Sequence, residues 1–480
     1  MTTTSTPPGV GDAGWTASAP ATFGLTGLDG SKTLYGWAKD GTGHVSAESS
    51  DSVLLDTAAP SITFDITPSL SRSTTVALTV SGGDPGGSGL NGYCVKSSAT
   101  VPSANDACFA ASAPTSGVIP GPDGTNTLHA WTRDAAGNVS TGGSDTVTLD
   151  STAPSVTFDI VPSLVNTTTV EVSVGGTDAG GSGVDAYCVR ASASVPAPSD
   201  PCFLASAPGT ALLTGGDGTN TLHAWTRDLA GNVSDAATDT VALDTTAPTR
   251  SFGITPTVTN STTVDVTLSG TDTGGSGVTG YCVKSSSADP APGDACFVAS
   301  APTNAQLAGG DGTNTLYAWT RDAAGNVSTM ASDTVTLDTI PPSASLNVIP
   351  ALTNSTTIAI TVAGGDPGGS GVTGYCVKSS ADVPAAASQC FEASAPATFA
   401  IAAPDGGKQV HAWTRDAAGN VSTAATDTVV LDQTRPTAVF NIVPATTASL
   451  TVAITLSGAD ASGVNGYLVR PSASPPGPPT

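Results

Sequence analysis

Trp37, Trp131, Trp225, Trp319 and Trp413 are each 94 residues apart. Cys94, Cys188, Cys282 and Cys376 keep the same interval, and each has a partner 14 residues on, at Cys108, Cys202, Cys296 and Cys390. The tripeptide Ala-Gly-Asn returns at 136–138, 230–232, 324–326 and 418–420. Fixed-period self-similarity marks one structural unit copied along a chain, and 94 residues is the size of a small domain. The 480 residues divide into four whole units, 57–150, 151–244, 245–338 and 339–432, between the back half of a unit (1–56) and the front half of another (433–480).

The unit 57–150 spells β structure. Residues 61–68 and 74–82 are β-branched runs, and 90–97, 125–134 and 144–150 read as further strands. The Pro/Ser/Ala stretch up to Pro122 is expected to add two or three short strands. Gly83-Asp84-Pro85-Gly86-Gly87-Ser88-Gly89, Asp123-Gly124 and Ala135-Ala136-Gly137-Asn138 are turns. Six to eight short strands in 94 residues predict an immunoglobulin-like β-sandwich, and the whole chain an all-β tandem array of them. Alternation assigns faces: Leu128, Ala130, Thr132, Tyr93 and Val95 inward, His129, Trp131, Arg133, Cys94 and Lys96 outward. Composition agrees, because only three of 39 acidic residues are Glu and the other 36 are Asp, a turn and cap former that disfavours helices.

The net charge of −24 argues against nucleic acid and anionic lipid as partners. No apolar run approaches the ~20 residues of a membrane-spanning helix, so no membrane insertion is expected in this segment. Met1–Pro8 has neither the basic nor the apolar stretch of a secretory leader.

Tyr-Ala-Trp-Thr-Arg-Asp-Ala-Ala-Gly-Asn-Val-Ser at 317–328, continuing through Asp333–Asp338 to Pro341, resembles the bacterial Ig-like repeats of very large surface and secreted proteins. The resemblance extends over every unit and implies a spacer or adhesin-stalk role. The inner cysteines depart from it: the terminal half-units have Gly14-Trp15 and Tyr467-Leu468 where the inner units have Cys-Phe and Tyr-Cys.

Four identical Cys-x13-Cys pairs suggest one local disulfide per unit, 94–108, 188–202, 282–296 and 376–390. Free buried thiols are the alternative; zinc is disfavoured because no second Cys or His cluster accompanies a pair. Bridges imply an oxidising destination, outside the cell or on its surface.

Aspartates recur at five positions per unit, typified by Asp84, Asp123, Asp134, Asp145 and Asp150. In a sandwich the loop after the second long strand and the last hairpin share a pole with the incoming linker. Asp56, Asp84 and Asp134 should therefore converge, as should Asp150, Asp178 and Asp228; Asp244, Asp272 and Asp322; and Asp338, Asp366 and Asp416. Three carboxylates with backbone carbonyls would suit Ca²⁺. The competing reading is turn chemistry, in which each Asp caps its own loop. The Asp123 class is assigned to turns outright.

Trp131, Trp225, Trp319 and Trp413 could form a sugar-stacking surface, or the disulfide-closed loop could fold over and bury them. No catalytic constellation is visible. His129, His223 and His411 share a position filled by Tyr35 and Tyr317 in other units, which identifies an outward aromatic instead of a proton shuttle, and no nucleophile elbow, zinc helix or phosphate loop occurs. Four of seven Asn-x-Ser/Thr sequons are the Ala-Gly-Asn turn itself.

Linkers such as Leu149-Asp150-Ser151-Thr152-Ala153-Pro154 are too short and too restricted for a flexible tether. Five domain-equivalents end to end would make a rod-like, beads-on-a-string array on the order of 200 Å long, at ~3.4 Å per strand residue. The expected function is a non-enzymatic stalk or spacer region of an extracellular bacterial surface protein. Alternatives are a repeat binding host or matrix glycan or protein, an accessory region of a secreted enzyme, and a fibre subunit. The complementary half-units at the ends fit neighbouring repeats of a longer chain, or the next copy joined head to tail.

Overall fold

The computed structural model describes residues 1–471. Among these the regular structure is strand and turn, with no helix. Residues 57–150 form seven strands: Thr63–Thr67, Leu70–Ser71, Thr75–Ser81, Leu90–Lys96, Ser116–Val118, Gly124–Asp134 and Gly143–Leu149. The first, third and fifth make a three-stranded sheet; the second, seventh, sixth and fourth, in that order, make a four-stranded one. Pairing is antiparallel except where Leu70–Ser71 runs parallel to Thr148–Leu149. The two sheets face each other as an Ig-like sandwich, and 151–244, 245–338 and 339–432 repeat the arrangement.

The stretch between the fourth and sixth strands differs from expectation. Instead of two or three strands it holds one of three residues, Ser116–Val118, and a single two-residue bridge between Tyr93 and Ala110. Its prolines and the cysteine staple keep it as a loop lying along the sheet.

Inward faces meet in one core per unit. In 57–150 it is built from Ile66, Val76, Leu78 and Val80 on one sheet and Leu128, Ala130, Val147 and Leu149 on the other, with Tyr93 and Val95 packed against it. Thr132, also inward and fully buried, donates its hydroxyl to the Ser61 carbonyl across the sandwich at 3.0 Å. Gly82 lies beside this link; a Cβ there would sit 2.3 Å from the Ser61 carbonyl oxygen. The free edge of the first strand is closed from within the unit: Ile66 N–H donates to Asp145 Oδ2 at 2.8 Å, and Ile160–Asp239, Ile254–Asp333 and Val348–Asp427 repeat the bond at the same distance. A carboxylate therefore occupies an edge donor that a foreign strand would otherwise meet.

Contacts gather the chain into two bodies, one ending at Leu243 and one starting at Asp244. Each contains two complete sandwiches. The flanking half-units are hairpins, Gly30–Gly36 with Ser49–Leu55 and Thr437–Val443 with Ala453–Ala459. The second of these leaves Val439, Phe440 and Ile442 exposed.

Candidate functional site

The sixth strand of each sandwich ends in an aspartate that the following turn fixes in place. Asp134 Oδ1 accepts from the N–H groups of Gly137 (2.7 Å) and Asn138 (2.8 Å), and Oδ2 accepts from the Asn138 amide at 2.8 Å. Gly137 sits at φ +96°, which lets the turn curl back on the carboxylate. Asp84, in the glycine-rich loop, accepts from Gly89 N–H at 2.7 Å. Asp56 enters from the linker and accepts from Ser88 N–H at 2.7 Å. Hydrogen bonding by Ser88 holds the Asp56 carboxyl below the usual carboxylate range.

The structure brings all four predicted triads together. Each of Asp56/Asp84/Asp134, Asp150/Asp178/Asp228, Asp244/Asp272/Asp322 and Asp338/Asp366/Asp416 places one oxygen per residue within 4.8 Å of the other two. Two members of each triad are buried and the loop aspartate is half-buried. At Asp338 burial pushes the carboxyl up, but hydrogen bonds from Ser370 prevail and it stays below its ordinary value. Asp272 Oδ1 is buried with no hydrogen-bond partner. Asp56 Oδ2 and Asp84 Oδ2 each accept one backbone N–H and keep a lone pair free, whereas both lone pairs of Asp134 Oδ1 are taken. The donor set is all oxygen and anionic, and such a set can hold a metal such as calcium. The front half-unit keeps two members, Asp432 and Asp460, each with a buried Oδ2 that lacks a partner. In the back half-unit Asp40 stands where Asp134 does, and the Thr42 hydroxyl with the His44 N–H lowers its pKa to about 2.

The Asp123 class does more than close a turn. Asp123 reaches the linker, accepting from Ser151 N–H (3.0 Å), Ser151 Oγ (2.9 Å) and Thr152 Oγ1 (2.8 Å). Asp29 takes the Thr57 hydroxyl at 2.9 Å, Asp311 the Thr339 N–H at 2.9 Å, and Asp405 the Gln433 N–H at 2.9 Å and the Thr434 hydroxyl at 2.6 Å. Assigning Asp123 to its turn overlooked a recurring signal: a Ser or Thr follows the linker aspartate, 28 or 29 residues after each of these carboxylates. At the joint between the first two whole units, Arg72 Nη1 also donates to the Gly231 carbonyl at 2.9 Å.

Opposite the core, the four-stranded sheet carries a lid. Cys94 bonds to Cys108, Cys188 to Cys202, Cys282 to Cys296 and Cys376 to Cys390. Cys94 points away from the core, yet it is fully buried, as are its counterparts, because the bridged loop covers that face. Trp131 lies beside Cys94 in the strand register and is 1% exposed; Trp225, Trp319 and Trp413 are 0% exposed. The lid thus removes the surface a sugar would stack on, and these tryptophans form no glycan platform. Their outer neighbours pack onto them: ring centroids lie 6.0 Å apart for His129 and Trp131 and 6.4 Å for Tyr317 and Trp319, so His and Tyr do the same packing work. Lys96 lies over the Trp131 ring at 5.4 Å and pairs with Asp106 of the lid. Arg133 covers Phe109 at 4.8 Å while its guanidinium donates to the Ala104 carbonyl. Two cations in each unit hold its own lid.

The amides of the Ala-Gly-Asn sequons are engaged as well. Asn138 Nδ2 donates to Asp134 and to the Asp56 carbonyl (3.1 Å), and Asn232 Nδ2 to Asp228 and the Asp150 carbonyl (2.8 Å).

No protein-family model and no curated protein matches the chain. Among solved structures it is similar to a tetra-tandem repeat from the extending region of a large adhesion protein (19% identity, 78% of this chain and 100% of that one, TM-score 0.31). It is also similar to fibronectin(III)-like modules of Clostridium thermocellum CbhA (15% identity, 38% and 94%, TM-score 0.24) and to domains 4–9 of the surface layer protein SbsC (13% identity, 90% and 75%, TM-score 0.20). Likenesses this low carry no weight of their own, and the Ig-like fold stands on the chain's own sheets.

Proposed function

We propose that this chain is a structural spacer region of an extracellular or cell-surface protein, without enzymatic activity, whose repeats hold other parts of a longer polypeptide apart. The observation that carries this reading is the way a linker residue is held from both sides. The Asp150 N–H donates to the Ser71 carbonyl of the unit it leaves at 2.9 Å. Its carboxylate accepts from Ser182 N–H at 2.7 Å and its carbonyl from Asn232 at 2.8 Å, both in the unit it enters. Asp338 is held in the same manner by Thr259, Ser370 and Asn420. A joint fixed at each peptide group resists bending, which a spacer needs and a flexible tether lacks. The disulfides support an oxidising location.

The finer part of the proposal is that calcium occupies the Asp triads and ties each linker to the pole it enters. Binding only to the folded unit at 100 times the dissociation constant would add about 2.7 kcal/mol of stability. Small-angle scattering of the full chain tests the spacer: an elongated particle is expected, and a compact globule overturns it. Calorimetry with millimolar CaCl₂ against EDTA tests the metal separately. Melting that is identical in the two buffers removes calcium and leaves the spacer intact.

A further inference from the structure

The four sandwiches are close copies, so their differences act as a built-in mutant series. Lid position 101 holds Val101, Val195, Asp289 and Val383 in successive units. Asp289 Oδ1 accepts from the indole N–H of Trp319 at 3.0 Å. Valine cannot accept, and the indole nitrogens of Trp131, Trp225 and Trp413 are buried without a hydrogen-bond partner. A second difference falls in the same unit. Arg250 reaches from the first strand of the third unit and donates to the Met330 carbonyl in the last hairpin. The equivalent residues Ile62, Val156 and Ala344 have no side-chain donor.

We infer that the third unit, residues 245–338, has the most firmly closed lid of the four. A buried donor that loses its bond to water on closure opposes closure, and one that finds a carboxylate favours it. Lid opening in the first, second and fourth units frees an unpaired indole N–H to solvent, a gain absent from the third. The other fastenings are similar but not identical: Arg190 and Lys284 both reach lid carbonyls, at Ser194 and Ala288, and both lie over their tryptophans. The first and second lids add the partly exposed ion pairs Lys96–Asp106 and Arg190–Asp200, which are weaker ties than one buried donor satisfied by a carboxylate. The asymmetry therefore rests on position 289 alone, because Arg250 gains the Met330 carbonyl but keeps a buried Nε without a partner, and it stands whether or not the chain serves as a spacer.

Hydrogen exchange on the intact oxidised chain, resolved to the lid peptides, tests this. Segment 285–298 should exchange about tenfold or more slowly than 191–204, the low end for one satisfied buried donor. Asp289→Val should bring the third lid to the level of the others, and Val195→Asp should slow the second lid alone. Equal protection of all four lids in the parent chain overturns the inference. So does an Asp289→Val chain whose third lid is as protected as before.

Discussion

Removing one staple from the array gives an internal control. In the double variant Cys188→Ala/Cys202→Ala, the second unit loses a bridge between residues 14 apart in sequence, while three identical bridges remain. Opening a loop of about 15 residues returns roughly 3 kcal/mol of conformational entropy to the unfolded chain. Other ties stay on that lid: the Arg190–Asp200 ion pair at 3.0 Å and the paired backbone bonds of Tyr187 and Leu204, both 2.8 Å. The folded sandwich should therefore persist. For a domain of this size each kcal/mol shifts the melting point by about 4–8 °C, so the second unit should melt about 12–24 °C below its neighbours. Scanning calorimetry of the full chain should show one early transition split from the main envelope. If the whole chain still melts as one envelope within about 3 °C of the parent, the staple does not act through the unfolded state, and the argument from loop length fails.

Two further predictions follow from single contacts. Ser140 Oγ, almost fully buried, accepts from the Thr132 N–H at 3.0 Å, so Ser140→Ala strands a buried donor and should destabilise the first whole unit by about 1–3 kcal/mol, measured by chemical denaturation; a change below about 0.5 kcal/mol would count against it. The linker clamps should be acid-labile. The Thr152 hydroxyl, with Ser151 N–H, holds Asp123 below 3.8, and the Thr434 hydroxyl, with Gln433 N–H, does the same for Asp405. A depressed folded pKa gives stability that is complete above the unfolded value and lost as pH falls through the folded one, so exchange protection at Ser151 and Gln433 should hold down to about pH 4 and then collapse; loss already at about pH 6 would refute the assignment.

The parts of this molecule that local pattern dictates could be read directly. Thr75–Ser81 and Leu90–Lys96 announce themselves by alternation, and the meeting of Asp56, Asp84 and Asp134 follows from sandwich topology once the repeat is seen. What escaped depends on which side chains face one another across long separations. Asp123 sits in an Asp-Gly pair that explains itself as a turn, which hid its bond to Ser151. The loop after Cys94 has strand-like residues, but a bridge to Cys108 and the Arg133 fork hold it as a lid. Burial of Trp131 was visible only as one of two outcomes, because its outward direction is read from alternation and its cover is not.

Near-identical sandwiches strung on one polypeptide risk a particular error during synthesis, in which a strand inserts into the wrong copy. The bond from Ile66 to Asp145 bears on that error. Its acceptor comes from the last strand of the same copy, so this one outer donor of the first strand is taken up only once that copy is finished. An unfinished sandwich offers a vacancy and a completed one does not. Correct closure thus removes one donor that a neighbour's strand would need in order to pair at that edge.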